Sequence, residues 1–131
     1  MTAQEISTNV GTDVLFENER LRVWRMRLDP GEACQVHIHK YDHVFVYANP
    51  SLIEATLLDG SDSEPLRQPS DEGFVYYREV GAEGLPPHFI RNVGDTVSTH
   101  YIVELLGPSL SRETADGVHN GRFVEGREAD L

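Results

Sequence analysis

Turn residues punctuate this chain from 29 to 95, and that punctuation limits its fold more than any other feature. Asp29-Pro30-Gly31, Asn49-Pro50-Ser51, the stretch 81–87 and Gly94-Asp95 each read as a turn or loop that ends an apolar or alternating run. The runs between them read as strands. In residues 20–28, Trp24, Met26 and Leu28 fall on one side and Val23, Arg25 and Arg27 on the other, the period of a half-buried strand. Further strands are expected at 33–38, 43–48, 52–58, 73–78, 88–93 and 96–106, and 59–72 is a polar loop with at most a short strand at 65–68. Gly94-Asp95 reads as a hairpin turn between the last two strands. About seven or eight short strands at this spacing predict an all-β sandwich or barrel, whose sheet edges must close or pair with another subunit.

Length and charge narrow the function. The 131 residues fit one domain, with a core over about 20–106 and a polar C-terminal segment over 107–131. Hydrophobic residues make up 39% and charged residues 25%, which excludes a wholly disordered chain. No window approaches the ~20 apolar residues of a membrane helix. Met1-Thr-Ala-Gln-Glu-Ile lacks the basic and apolar regions of a signal peptide, and the single Cys34 cannot form an intrachain disulfide, so a cytoplasmic location is expected. The net charge of −11 argues against nucleic acid or an anionic membrane as partner, while a locally positive pocket remains open to small anions. Ten of the eleven cationic residues are Arg, the better residue for bidentate carboxylate contacts.

The chemistry is concentrated in the histidines. His37 and His39 are two apart on an expected strand, so both imidazoles reach one face. His43 opens the next strand and can converge on the same point. Val36 and Ile38, which alternate with His37 and His39, are apolar, so that strand is covered on both faces. A buried His-rich face costs free energy unless its imidazoles are hydrogen-bonded or metal-bound.

The stretch Pro30-Gly31-Glu-Ala-Cys-Gln-Val-His37-Ile-His39-Lys-Tyr-Asp-His43-Val-Phe-Val-Tyr resembles the first cupin motif: a Gly, a spacer, H-x-H, a second spacer, a Glu or its substitute, and an apolar strand. Gly84-Leu-Pro-Pro87-His88-Phe-Ile-Arg-Asn92 resembles the second, a Pro-containing turn before a His with an Asn four residues on. The resemblance spans about 20–106 and implies a double-stranded β-helix, the small jelly-roll barrel. His43 stands where the usual motif has Glu, and Asp42 falls one residue early. That variation resembles the small single-domain cupins with an all-histidine site. The stretch from Gly73 to His88 is also longer than in the most compact members, and the segment between the motifs is acidic. Carried over by position, the implied ligands are His37, His39, His43 and His88 around one divalent ion. Mn or Fe is expected first; Ni, Zn, Co and Cu suit the same donors. In six-coordinate geometry four imidazoles leave two positions open for a ligand.

Parity extends the site. With His37 and His39 inward, Gln35 should point inward as well, and Phe45 and Tyr47 should follow His43. Trp24 and Met26 share one face and join the pocket candidates. Tyr76 and Tyr101 are the candidate proton donors, with Tyr77 beside them, and Arg91 and Arg78 the candidates to hold a substrate carboxylate. The competing reading for each aromatic is barrel core. Cys34 is out of step with the ligands and should be a small buried apolar residue pointing away from the metal. His100 is expected to pack, His119 to be solvated, and Asn92 to hold a turn. Three classes follow: a metal-dependent oxygenase, favoured for the aromatic candidates near His43; a non-redox lyase, decarboxylase, isomerase or cyclase; and a non-catalytic binder of small molecules. A homodimer is expected, with Val36 and Ile38 packing in the other sheet or against the partner.

Overall fold

The computed structural model describes residues 6–58 and 64–107, and the described residues hold eight strands and no helix. They are β1 (Asp13–Glu17), β2 (Leu21–Leu28), β3 (Asp42–Tyr47), β4 (Ser51–Leu57), β5 (Leu66–Ser70), β6 (Val75–Arg78), β7 (His88–Asn92) and β8 (Ser98–Leu105). Two antiparallel sheets form, one in the order β1-β2-β8-β3-β6 and the other β5-β4-β7. The segment 108–131, with His119, lies outside the described residues, as do 59–63 of the expected loop.

Directly opposed residues in a ladder share a face, so the registers map the inside of the larger sheet. One row runs Arg22–Glu104–His43–Arg78 across β2, β8, β3 and β6. The next runs Val14–Trp24–Ile102–Phe45–Tyr76, and the third Met26–His100–Tyr47. Leu28 and Ser98 close the face. Trp24, Met26, Leu28, Ile102 and Val10 are buried together, with Cys34, Phe45 and Ile90 packed against them. Each fully buried aliphatic side chain of this group stabilises the fold by about 1.5–3 kcal/mol. The alternation expected in 20–28 is thus the alternation that builds the core.

The turn at 29–31 forms as expected. Glu32 N donates to Asp29 O at 2.9 Å, and Gly31 has φ +84°, a conformation that only glycine adopts freely. Pro30 at the second position and Gly31 at the third make it a type II turn.

Two expectations fail and one strand was not expected, each for a physical reason. Residues 33–38 are not a continuous strand. Ala33 pairs with Arg91 and His37 with His88, so four steps along this segment oppose three along β7. The extra residue is a bulge, and it reverses the parity of everything before it. Gly94-Asp95 is not a hairpin, because β7 pairs with β4 and β8 pairs with β2 and β3. The chain changes sheet there, held by Asn92. Its Nδ2 donates to Leu28 O (3.0 Å) and Thr96 O (2.8 Å), and its Oδ1 accepts from Gly94 N (2.9 Å). Asn92 thus holds the turn that its position predicted. The unexpected strand is β1: every one of its residues is exposed, so it carries no burial period.

Candidate metal centre

His37, His39 and His88 come together, one ligand atom from each lying within 4.8 Å of the others. The bulged segment and β7 bring them there. His37 and His88 exchange both backbone hydrogen bonds, each 3.0 Å, and their ring centroids are 4.5 Å apart. The His39 ring is 5.0 Å from His37 and 5.1 Å from His88. Gly84 holds the far end: it has φ +77°, a Cβ there would sit 3.1 Å from His39 O, and Leu85 N donates to that same oxygen.

Four histidines were expected around one point. The structure brings three within that distance and places His43 beside them, its ring stacked on His39 at 4.1 Å. A shared device orients the rings. His37 Nδ1 lies 2.9 Å from Gln35 O, His43 Nδ1 2.8 Å from Tyr41 O, and His88 Nδ1 3.5 Å from Pro86 O. In each case the carbonyl is two residues earlier. A proton held on Nδ1 leaves Nε2 as the lone-pair donor, the outer-shell arrangement of metal-binding histidines. His39 differs: its Nδ1 is buried and has no partner.

The imidazoles are held neutral. Burial lowers the pKa of His37, and that of His43 too, where the Tyr41 carbonyl opposes it and the charge of Arg78 adds to it. His88 is lowered to about 4, by burial first and then by His37. His39 is driven furthest, by burial, then by His43, His37, His88 and Arg78. Neutral imidazoles bind a cation without first shedding a proton. A buried group of unprotonated nitrogens, one of them orphaned, is a donor set that a divalent ion fits.

The other expected residues separate by face. Phe45, Tyr47, Trp24 and Met26 point inward. The Phe45 ring is 5.6 Å from His43, 5.8 Å from His100 and 5.3 Å from Tyr76. Tyr76 shares that face but is exposed at the sheet edge. Tyr101 alternates with buried His100 and Ile102, so it lies on the opposite face of β8 and cannot donate a proton to the centre. Arg91 likewise alternates with buried Asn92, and its Nη1 donates to Gly31 O at 2.7 Å instead of facing the histidines. Tyr77 is also off the inner face, donating to Glu79 Oε2 at 3.1 Å.

The bulge corrects two further expectations. The Gln35 side chain is exposed, and it is the Gln35 carbonyl that serves the site. Cys34 is half-buried, as a small core residue should be, but its Sγ lies 3.8 Å from His37 Nδ1 rather than pointing away. Residues three apart face oppositely on a regular strand; one extra residue between them restores the shared face. Asp42 is buried and accepts from Val80 N at 2.7 Å, anchoring the chain after β6. His100 packs as expected, its ring 4.6 Å from Tyr47.

One residue was missed. Glu104 is 1% exposed and stands opposite His43 on the inner face. It accepts from Trp24 Nε1 at 2.6 Å and from Arg22 Nη1 at 3.4 Å, and burial raises its pKa against both contacts. The signal was present: within 96–106 it is in phase with Ile102, a charge on the apolar parity of a strand.

No protein-family model and no curated protein sequence matches this chain. Solved structures do. A cupin domain from Bordetella pertussis superposes with a TM-score of 0.61 at 21% identity, over 79% of this chain and 98% of that one. A protein with a double-stranded β-helix domain from Klebsiella pneumoniae gives 0.55 at 16% identity, over 77% and 82%. An RmlC-like cupin family protein from Methanocaldococcus jannaschii gives 0.52 at 19% identity, over 80% and 90%. The likeness is one of fold.

Proposed function

With the cupin double-stranded β-helix as its fold, we propose that this chain is a metal-dependent enzyme acting on a small anionic or oxygen-chelating molecule by dioxygenase-type oxidation. The observation that carries the reading is the convergence of His37, His39 and His88 on one point. His43, with Nδ1 already committed to a carbonyl, is the fourth ligand of the proposal. A divalent ion held there by His37, His39, His43 and His88 would supply Lewis acidity and, if Mn or Fe, redox capacity. The chain's own residues do the rest. The carbonyls of Gln35, Tyr41 and Pro86 hold three rings in orientation. Phe45 presents an aromatic surface beside His43, and Tyr47 and Tyr76 pack around Phe45. No carboxylate belongs to the converging group among the described residues, so an anion meets less repulsion than at a Glu-containing site.

Glu104 favours a second reading. A buried carboxyl with a raised pKa opposite His43 is the kind of group that a lyase or isomerase uses to hold or move a proton. Oxygen dependence separates the two. Turnover that stops under strict anaerobiosis, with oxygen uptake matching substrate loss, supports the oxygenase; undiminished anaerobic turnover refutes it and leaves the non-redox enzyme.

A further inference from the structure

Seven arginines lie among the described residues, and most are occupied. Arg22, Arg25, Arg27 and Arg67 each pair with a carboxylate, and Arg91 donates to the Gly31 carbonyl. Arg20 and Arg78 have no side-chain partner among the described residues. Arg20 lies in the exposed turn before β2. Arg78 is different, because it ends the inner-face row Arg22–Glu104–His43–Arg78 directly opposite His43.

At the far end of that row Arg22 is tied to Glu104 and Glu17. At the near end Arg78 is exposed, has no side-chain partner among the described residues and lies on the same face of the sheet as His43. Its charge reaches His39, His43 and His88. A chain with a net charge of −11 repels small anions in general, so a guanidinium opposite His43 that is unpaired among the described residues sets the local sign. The guanidinium also presents a fork of N–H donors matched to two oxygens of one group. Tyr76, adjoining it in β6, adds an aromatic edge on the same face.

We infer that Arg78 is the specificity-determining residue of this site, selecting a small carboxylate over a neutral ligand by a forked contact from β6. The inference rests on the metal-centre reading above and names its substrate class: an organic acid whose oxygens reach the ion while a carboxylate oxygen reaches Arg78.

Calorimetric titration of oxalate into Mn(II)-loaded protein tests it, with metal content measured on each sample. Arg78→Gln should keep its metal and lose oxalate affinity by about tenfold or more, the scale of one charge-assisted hydrogen bond. Arg78→Lys, which keeps the charge but not the fork, should lose less. Arg20→Gln removes the same charge from the chain and should stay within about twofold, because that exposed charge is screened from the site. Arg78→Gln binding oxalate as tightly as wild type, with metal retained, overturns the inference and leaves the metal centre standing. An equal loss in Arg20→Gln would reduce it to overall charge and overturn it, and loss of metal from Arg78→Gln would make Arg78 structural and do the same. A wild-type chain that binds no divalent ion overturns the metal-centre reading itself.

Discussion

Replacing Asn92 by Ala should cost about 3 kcal/mol of stability. The side chain is wholly buried and makes three hydrogen bonds, to Leu28 O, Thr96 O and Gly94 N. Each is worth about 1 kcal/mol net, and the fully buried one to Leu28 leaves a carbonyl that water cannot easily serve. Unfolding a domain of 131 residues carries an entropy of about 0.28 kcal/mol/K, so the expected fall in Tm is about 10 °C. Asn92→Asp sharpens the test. The carboxylate still accepts from Gly94 N, but its other oxygen faces two carbonyl oxygens where an amide had donated. Near-isosteric Asp should therefore destabilise more than Ala at pH 7, and less as the pH is lowered and the carboxyl takes up a proton. Urea unfolding in chelator, followed by the fluorescence of Trp24, measures both variants. Asp as stable as wild type, or Ala within 1 kcal/mol of it, would refute the argument that Asn92 holds the crossover.

His100 should make the metal-free protein sensitive to acid. Its pKa falls to about 3, through burial first and then the charge of His37, while the unfolded chain titrates near 6.5. The unfolded state then binds the extra proton, so this contribution is whole above about 6.5 and is lost as the pH falls toward 3, at about 1.4 kcal/mol per pH unit. His100→Phe should show a shallower loss between pH 6.5 and 4 in urea titrations, and an unchanged slope would exclude this source. The exposed edge strand β1, with Val14, Leu15 and Phe16 all in contact with solvent, is expected to pair in a homodimer. Light scattering at micromolar concentration should give twice the chain mass, and a clean monomer would count against it.

What the sequence disclosed was what regular geometry carries. The alternation at Trp24, Met26 and Leu28, the turn at Asp29-Pro30-Gly31 and the paired spacing of His37 and His39 all survive because nothing irregular interrupts them. Gln35 and Cys34 were placed by parity through a bulge that leaves no mark in the sequence. Arg91 and Tyr101 show the opposite fault. Both are candidates by residue type alone, and the burial of Asn92 and His100 beside them puts the opposite parity inward. β1 buries nothing and so has no period to read. Gly94-Asp95 has hairpin chemistry, but pairing is decided by partners distant in sequence, and Asn92 makes the turn without a ladder. Glu104 is legible as a charge in phase with Ile102, but its partners, Trp24 and Arg22, lie about 80 residues away and leave no local pattern.

Metal content tests the central claim most directly. Protein purified without added metal and analysed for its elements should carry about one divalent ion per chain. His37→Ala, His39→Ala and His88→Ala should each lose most of it, while His119→Ala should not. Equal metal in His88→Ala and His119→Ala would contradict the account, because His88 and His37 form the cross-strand pair on which the centre is built.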